Sequence, residues 1–300
     1  MNTKEVIRRF FPFKSEATIT AYAADLDAFC AYLSKSSAEE SLELLFSLPE
    51  SQANLLVLHY KTELYSQGQK ASSINRKLST LRSLVSIAFQ SGLTDWKLDI
   101  QNEKPDAAAL VILSGQQVKG LLTAALSQSN PVKAAKDHTI ICLLYDLGLK
   151  RHIIADLVLS NLDLGKKILT IPALVNRAAR IKALPARTAK SLSNWLAQRG
   201  NQEGPLFRHI DASKPESSGI TSTSIYRIVK NLGQTLGLNI TPELVRQSAI
   251  SEALRQASSV GLSESDLLAF SDHKSVQSIK QIQKKQVHHQ RTLSTLLAKN

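Results

Sequence analysis

Apolar residues recur every three to four positions through most of this chain, which is the spacing of helices that bury one face. Residues 18–33, about 51–66 and the stretch from Ser72 all show this spacing. The rhythm changes only between residues 164 and 185, where two short apolar runs flank a turn at 172–179 and predict a small β-hairpin. The pattern therefore predicts a mostly α fold with one small antiparallel β-sheet.

A change in composition divides the chain near residue 105. Residues 94–109 contain Trp96, Pro105 and three consecutive alanines without a clear period, which is typical of a linker. Residues 1–105 hold 12 basic and 12 acidic residues, whereas residues 106–300 hold 25 basic and 13 acidic ones. We therefore predict two domains, a neutral helical domain at 1–105 and a basic domain at 106–300 that contains the hairpin.

The net charge of +12 favours a polyanionic partner, although charge alone leaves DNA, RNA and an acidic protein open. No apolar run is long enough to span a bilayer, and the first 14 residues lack a signal-peptide core, so we expect a soluble, cytoplasmic protein without a membrane partner. Cys30 and Cys142 lie in apolar helical patterns and are expected to be buried thiols. The sequence indicates no metal site and no cofactor.

The helix that begins near Ser72 has a polar face that suits DNA. This face carries Arg76 among small polar residues, and Lys77 and Arg82 flank it. Small polar side chains with basic flanks suit a helix that lies against a phosphate backbone. Ordinary solvation of a helix face explains the pattern equally well, so both interpretations stay open at this point. The small polar residues are Ser72, Ser79, Thr80 and Ser83.

Several strings in the sequence resemble, in order and at similar spacing, segments of the tyrosine recombinase (phage integrase) family. The string GQKASSINRKLSTLR resembles the end of the family's core-binding domain, and LYDLGLKRHIIADLVLSNLD resembles its first catalytic box. GPLF and residues 221–229 resemble the approach to the second box, TPELVR the second box itself, and DLLAFSDHKSV the third. The resemblance covers about residues 15–285.

The resemblance implies an architecture and a partner. It implies a helical core-binding (SAM-like) domain at 1–105 and a degenerate catalytic-type domain at 106–300, with a three-stranded sheet at about 162–184. It also implies duplex DNA as the partner, held in a C-shaped clamp with one domain on each side. The C-terminal helix of this family often packs on a neighbouring protomer, so an active recombinase or a second copy is a further candidate partner. The apolar residues Leu293, Leu296 and Leu297 would form this contact. Alternatively, they cover the core of their own chain.

The family's chemistry uses two arginines on the scissile phosphate, a hairpin lysine as general acid, assisting histidines and a tyrosine that attacks phosphorus. By position, the first arginine corresponds to Lys150, which keeps the charge but lacks the planar guanidinium. The second arginine is present as Arg246, and the third-box histidine as His273. The second-box histidine corresponds to Glu243, whose carboxylate would repel a phosphate unless it pairs with Arg246 or a nearby lysine.

The hairpin and the nucleophile depart furthest from the family pattern. The turn contains Arg177 and no lysine, and Lys182 is expected in the strand beyond it. The tyrosine corresponds to Ile282, and none of the six tyrosines follows Tyr226. We therefore expect the chain to lack the nucleophile and not to be an enzyme. It would instead act as an accessory or architectural DNA-binding factor in integration or excision of a mobile genetic element.

Two other functions stay open. One is an active site-specific recombinase with an unusual nucleophile, such as Ser275, Ser278 or a residue of a partner. The other is a protein-interaction module of a recombination complex, which the positive charge of the second domain disfavours. Phosphate contact is the preferred role for Arg246, whereas a structural role is preferred for His273. The residues predicted to contact DNA are Arg76, Lys77, Arg82, Lys150, Arg177, Arg180, Arg246 and His273.

Overall fold

The structure, a computed structural model, describes residues 2–103, 112–173, 178–210, 218–257, 259, 261–273, 275 and 277. The chain divides into two compact units, Met1–Ala108 and Ala109–Asn300. The predictions for Arg177, Ser278, Ile282 and the C-terminal leucines lie outside the described residues. Among the helices that the structure describes, none has the length and apolarity needed to cross a membrane.

Within residues 2–103, the first unit consists of five helices around one apolar core. The second helix begins after Ser15, as predicted, because the Ser15 side chain accepts a hydrogen bond from the backbone amide of Thr18 at 3.3 Å. Phe29 and Tyr60 meet edge to face at the centre of this core, with ring centroids 5.1 Å apart. The helices are α1 (Thr3–Phe10), α2 (Glu16–Tyr32), α3 (Ala38–Ser47), α4 (Glu50–Ser66) and α5 (Ala71–Gln90).

The described part of the second unit is helical apart from one sheet. Its second helix begins at Pro131, earlier than the apolar pattern from residue 138 indicates. Asn130 caps that helix by accepting a hydrogen bond from the Lys133 amide, and proline suits the first helical position. The helices are α6 (Gly115–Leu126), α7 (Pro131–Asp146), α8 (Arg151–Asp156), α9 (Ala186–Arg199), α10 (Ser222–Gln234), α11 (Pro242–Ala257) and α12 (Glu264–Ser271).

The sheet lies where the changed spacing of apolar residues at 164–185 predicts it. Its strands are β1 (Leu162–Asp163), β2 (Ile168–Ile171) and β3 (Arg180–Ala183), which pair antiparallel in the order β1-β2-β3. Leu162 lies opposite Leu169, and Ile168 lies opposite Ala183. The prediction of a mostly helical fold with one small antiparallel sheet is therefore confirmed.

Helix α11 joins two apolar clusters of the second unit. Near its start, Val245 packs into the main core, which α6 to α10 and the sheet surround. Further along, Ile250 and Ala257 form a smaller cluster with Leu267 of α12. Arg246 therefore lies on the helix that connects the main core with α12.

Candidate functional site

Arg246 is the buried centre of the site, with only 2% of its surface exposed. Its Nε donates to the carbonyl oxygen of Gly148 at 3.1 Å, and one Nη donates to the carbonyl oxygen of Ser271 at 2.8 Å. The other Nη donates to Oε1 of Glu243 at 2.8 Å, so Glu243 pairs with Arg246, which is one of the two alternatives that the sequence leaves open. A buried guanidinium needs such acceptors, because an unpaired buried charge is costly.

Gly148 lets the loop after α7 approach α12 closely. Its φ of +62° lies in the left-handed region, which glycine adopts without steric cost. A Cβ at this position would lie 3.1 Å from the carbonyl oxygen of Phe270. The absence of a side chain therefore allows the first-box loop, which continues to Lys150, to lie against the end of α12.

Asp272, which follows α12, forms ion pairs with two of the residues predicted to bind DNA. Arg180 of β3 donates a hydrogen bond to its carboxylate, and the Nζ of Lys150 lies 3.8 Å from Oδ2. Asp272 has a φ of +55° and caps the C-terminal end of α12, where its backbone amide donates to the carbonyl oxygen of Leu268. The third-box segment thus places a carboxylate between cations that come from the first box and from the hairpin.

Lys182 also binds the end of α12. It lies in β3, as expected, and its Nζ donates to the carbonyl oxygens of Ala269 at 2.7 Å and Phe270 at 2.9 Å. Burial, together with the positive charges of Arg180 and Arg246, lowers the pKa of Lys182 to about 8. This lysine can therefore release a proton more readily than an exposed lysine.

A pocket of about 370 Å³ opens beside Arg246. Tyr226 of α10 lines it, and sequence reasoning did not assign a role to this residue. The Arg151 guanidinium lies 5.5 Å from the centroid of the Tyr226 ring, and the Lys230 Nζ lies 5.9 Å from it. Tyr226 and Lys230 are four residues apart, so they share one face of α10. This spacing is the sequence pattern that could have indicated a role for Tyr226. The lining residues are Leu149, Lys150, Arg151, His152, Tyr226, Thr241, Pro242, Glu243 and Arg246.

In the first unit, the predicted DNA-binding residues of α5 hold a buried carboxylate. One Nη of Arg76 donates to Oδ2 of Asp25 at 2.7 Å, and the Lys77 Nζ lies 3.9 Å from Oδ1. Thr80 donates to Oδ2 at 2.9 Å and is fully buried, so the expectation that it belongs to an open polar face is wrong. Despite these partners, burial raises the pKa of Asp25.

Arg82 binds the segment that follows α5. One Nη donates to the carbonyl oxygen of Ile100 at 3.2 Å, and the other donates to the side chain of Asn102. These bonds link the end of the first unit to α5. The DNA contacts expected of Arg76, Lys77 and Arg82 stay predictions, since all three also have partners within the unit.

Two protein-family models match this chain and together show which family it belongs to. The model of the phage integrase family matches residues 112–289, which is more than half of the chain. The model of the phage integrase N-terminal SAM-like domain matches residues 14–92. The chain belongs to the phage integrase, or tyrosine recombinase, family. The family matches thus cover the two segments to which the sequence resemblance pointed.

Individual relatives agree with this assignment. A tyrosine recombinase of Synechococcus elongatus is 27% identical over 249 residues, which cover 80% of this chain and 77% of that protein. The tyrosine recombinase XerC of Pseudomonas fluorescens is 24% identical over 268 residues, covering 88% and 84% of the two chains. Among solved structures, the Tn1549 transposon integrase has a TM-score of 0.68 at 14% identity and covers 94% of each chain. This last likeness shows a shared fold.

The expectation that the chain is not an enzyme is wrong. It was inferred from the replaced residues alone, whereas the family match and the named relatives place the chain among tyrosine recombinases, which are enzymes. Replacement of individual residues at family positions does not by itself remove a chain from that class. Ile282, which the sequence resemblance aligns with the family's tyrosine, lies outside the described residues, so the loss of that nucleophile stays a prediction.

The structure brings together most family positions that it describes in the second unit. Arg246 and Glu243 bond to each other, and Lys150 and Arg180 meet at Asp272. His273 follows Asp272 directly and is half-buried. The third-box Asp272 was missed, because its partners lie more than 90 positions away in the sequence and only the folded chain reveals them.

Proposed function

We propose that this chain binds duplex DNA as a subunit of a site-specific recombination reaction and holds a backbone phosphate in the pocket beside Arg246. The observation that carries the proposal is the convergence of Lys150, Arg151 and Arg246 on one pocket of about 370 Å³. Several cations around a small cavity suit a phosphate diester, whose charge they neutralise. The Tn1549 integrase was solved with transposon right end DNA, which supports DNA as the ligand.

The remaining predicted cations would extend contact along the DNA backbone. The side chain of Arg76 is 48% exposed, so it can reach a phosphate while it remains paired with Asp25. Arg180 and Lys182 would approach the DNA from the sheet beside the pocket. The excess of basic over acidic residues after residue 105 supports this assignment.

A second candidate is an accessory or architectural subunit that binds DNA during integration or excision of a mobile genetic element. The hydrogen bonds of Arg246 favour this candidate, because all three of its nitrogen atoms already donate to acceptors within the protein. Both candidates require binding of duplex DNA.

The test is a native gel shift with random-sequence duplex DNA. Lys150→Ala combined with Arg151→Ala should weaken binding about tenfold or more, because two charge-assisted phosphate contacts are lost. Lys166→Ala is the matched control, since the Lys166 side chain is 78% exposed and its Nζ lies 3.5 Å from the carboxylate of nearby Asp163. Equal binding by the double variant and the control would refute the assignment of the pocket. No binding by any form would favour the protein-interaction module.

A further inference from the structure

One tyrosine, Tyr226, lines the pocket in which the proposed function places a DNA phosphate. Its side chain lines the same pocket as Arg246, the arginine that matches the family's second box. We propose that Tyr226 is the residue whose hydroxyl attacks the phosphate held in this pocket. The inference rests on the proposed function, since it requires that the pocket binds a DNA phosphate.

None of the other five tyrosines is among the residues that line this pocket. Tyr22, Tyr32, Tyr60 and Tyr65 belong to the first unit. Tyr145 lies in α7 and packs against the main core, where burial raises the pKa of its hydroxyl and disfavours the phenolate. Among the tyrosines, all of which the structure describes, Tyr226 is therefore the one that lines the pocket beside Arg246.

The surroundings of Tyr226 suit a nucleophile. Its neighbour Ile225 is fully buried in the main core, which fixes this turn of α10. Tyr226 itself is only half-buried and faces the cavity. Arg151 and Lys230 lie over its ring, 5.5 and 5.9 Å from the ring centroid, and these cation–π contacts help to fix the ring at the wall of the cavity.

The proposed step is a transesterification that needs no further reactant. A bond forms between the Tyr226 hydroxyl oxygen and phosphorus, and the bond from phosphorus to one deoxyribose oxygen breaks. The phenolic proton passes to Glu243, the carboxylate among the lining residues, and the departing oxygen takes a proton from Lys150. Arg246 and Arg151 compensate the charge on the non-bridging oxygens. The products are a phosphotyrosine ester and a DNA strand with a free hydroxyl.

The experiment uses the full chain and a pool of random-sequence duplexes, each of which carries a nick. Cleavage close to the nick releases a short fragment. Release of that fragment prevents religation and traps any covalent product on a denaturing gel. The unmodified protein should give a covalent band, and mass spectrometry should place the DNA on the tryptic peptide 209–227, which contains Tyr226. Fragment ions distinguish Tyr226 from the serines of that peptide.

Two phenylalanine variants test the residue itself. Tyr226→Phe should abolish the covalent band while gel-shift affinity stays within about twofold, because only the hydroxyl is removed. Tyr65→Phe is the matched control, since Tyr65 is 68% exposed in the first unit, and it should keep the band.

Each contrary result has a distinct meaning. A band that persists in Tyr226→Phe, or that maps to a serine, overturns the assignment of Tyr226. DNA binding without any covalent band also overturns it, yet leaves the proposed DNA binding intact. Absence of both binding and band refutes the proposed function, and the inference falls with it.

Discussion

At the scale of single residues, we expect Asp272 to compete with phosphate for the cations of the proposed site. Its carboxylate pairs with Lys150 and Arg180, which are two of the cations assigned to DNA. Asp272→Asn keeps a side chain that tolerates a left-handed backbone but removes the negative charge. We expect duplex DNA to bind about three- to tenfold more tightly, because both cations become available and one repulsive charge is lost.

Fluorescence anisotropy at fixed salt measures this change. Asp163→Asn serves as the control, because Asp163 pairs with exposed Lys166 and should leave the affinity unchanged. Weaker binding by Asp272→Asn than by the control would mean that Asp272 orders the site and does not compete with phosphate.

The lowered pKa of Lys182 leads us to expect that the stability of the protein depends on pH. Folding lowers the pKa of this lysine from 10.5 to about 8, chiefly through burial, so the folded state holds fewer protons on it between these values. Stability then rises with pH, because the unfolded state binds more protons. Relative to Lys182→Met, the unmodified protein should gain on the order of 1 kcal/mol as the pH rises from about 8 to 10. Urea denaturation at both pH values measures the gain, and parallel profiles would show that the pKa is not lowered.

At the scale of elements, Gly148 controls the contact between the first-box loop and α12. Gly148→Ala should lower the free energy of unfolding by about 2 kcal/mol or more, because it combines a left-handed φ with a Cβ pressed against Phe270. Gly237→Ala is the matched control, since its φ is +69° and no atom lies within 4 Å of its Cβ. It should cost about 1 kcal/mol, from backbone strain alone.

Hydrogen exchange of α12 locates the effect. Amides of residues 264–271 should exchange faster in Gly148→Ala but not in Gly237→Ala. Equal losses of stability in both variants, with α12 unchanged, would show that the close approach to Phe270 has no energetic role.

The helices and the sheet could be predicted from the sequence because their signals are local. Ser15 caps α2 as expected, and the rhythm at residues 164–185 gives β2 and β3. Buried polar contacts could not be predicted in this way, since Thr80 is buried only because Asp25 of another helix accepts its hydrogen bond. The same holds for Tyr226, whose place beside Arg246 depends on the packing of α10 against α8 and α11.

At the scale of the whole molecule, the uneven charge leads to a prediction about DNA affinity. The excess of 25 basic over 13 acidic residues lies after residue 105, and the first 105 residues are neutral. Cations that bind DNA phosphates release condensed counterions, so affinity must fall as salt rises. The steepness of this fall reports how many phosphates the protein contacts.

The affinity of the unmodified chain for duplex DNA, measured over a range of salt concentrations, is the most direct test of the central claim that the protein grips the DNA backbone. With about six phosphate contacts, the logarithm of the affinity should fall with the logarithm of the salt concentration at a slope of about −5, which is roughly a thousandfold loss between about 50 and 200 mM salt. Affinity that does not change with salt, or no binding at the lowest salt concentration, would contradict the account.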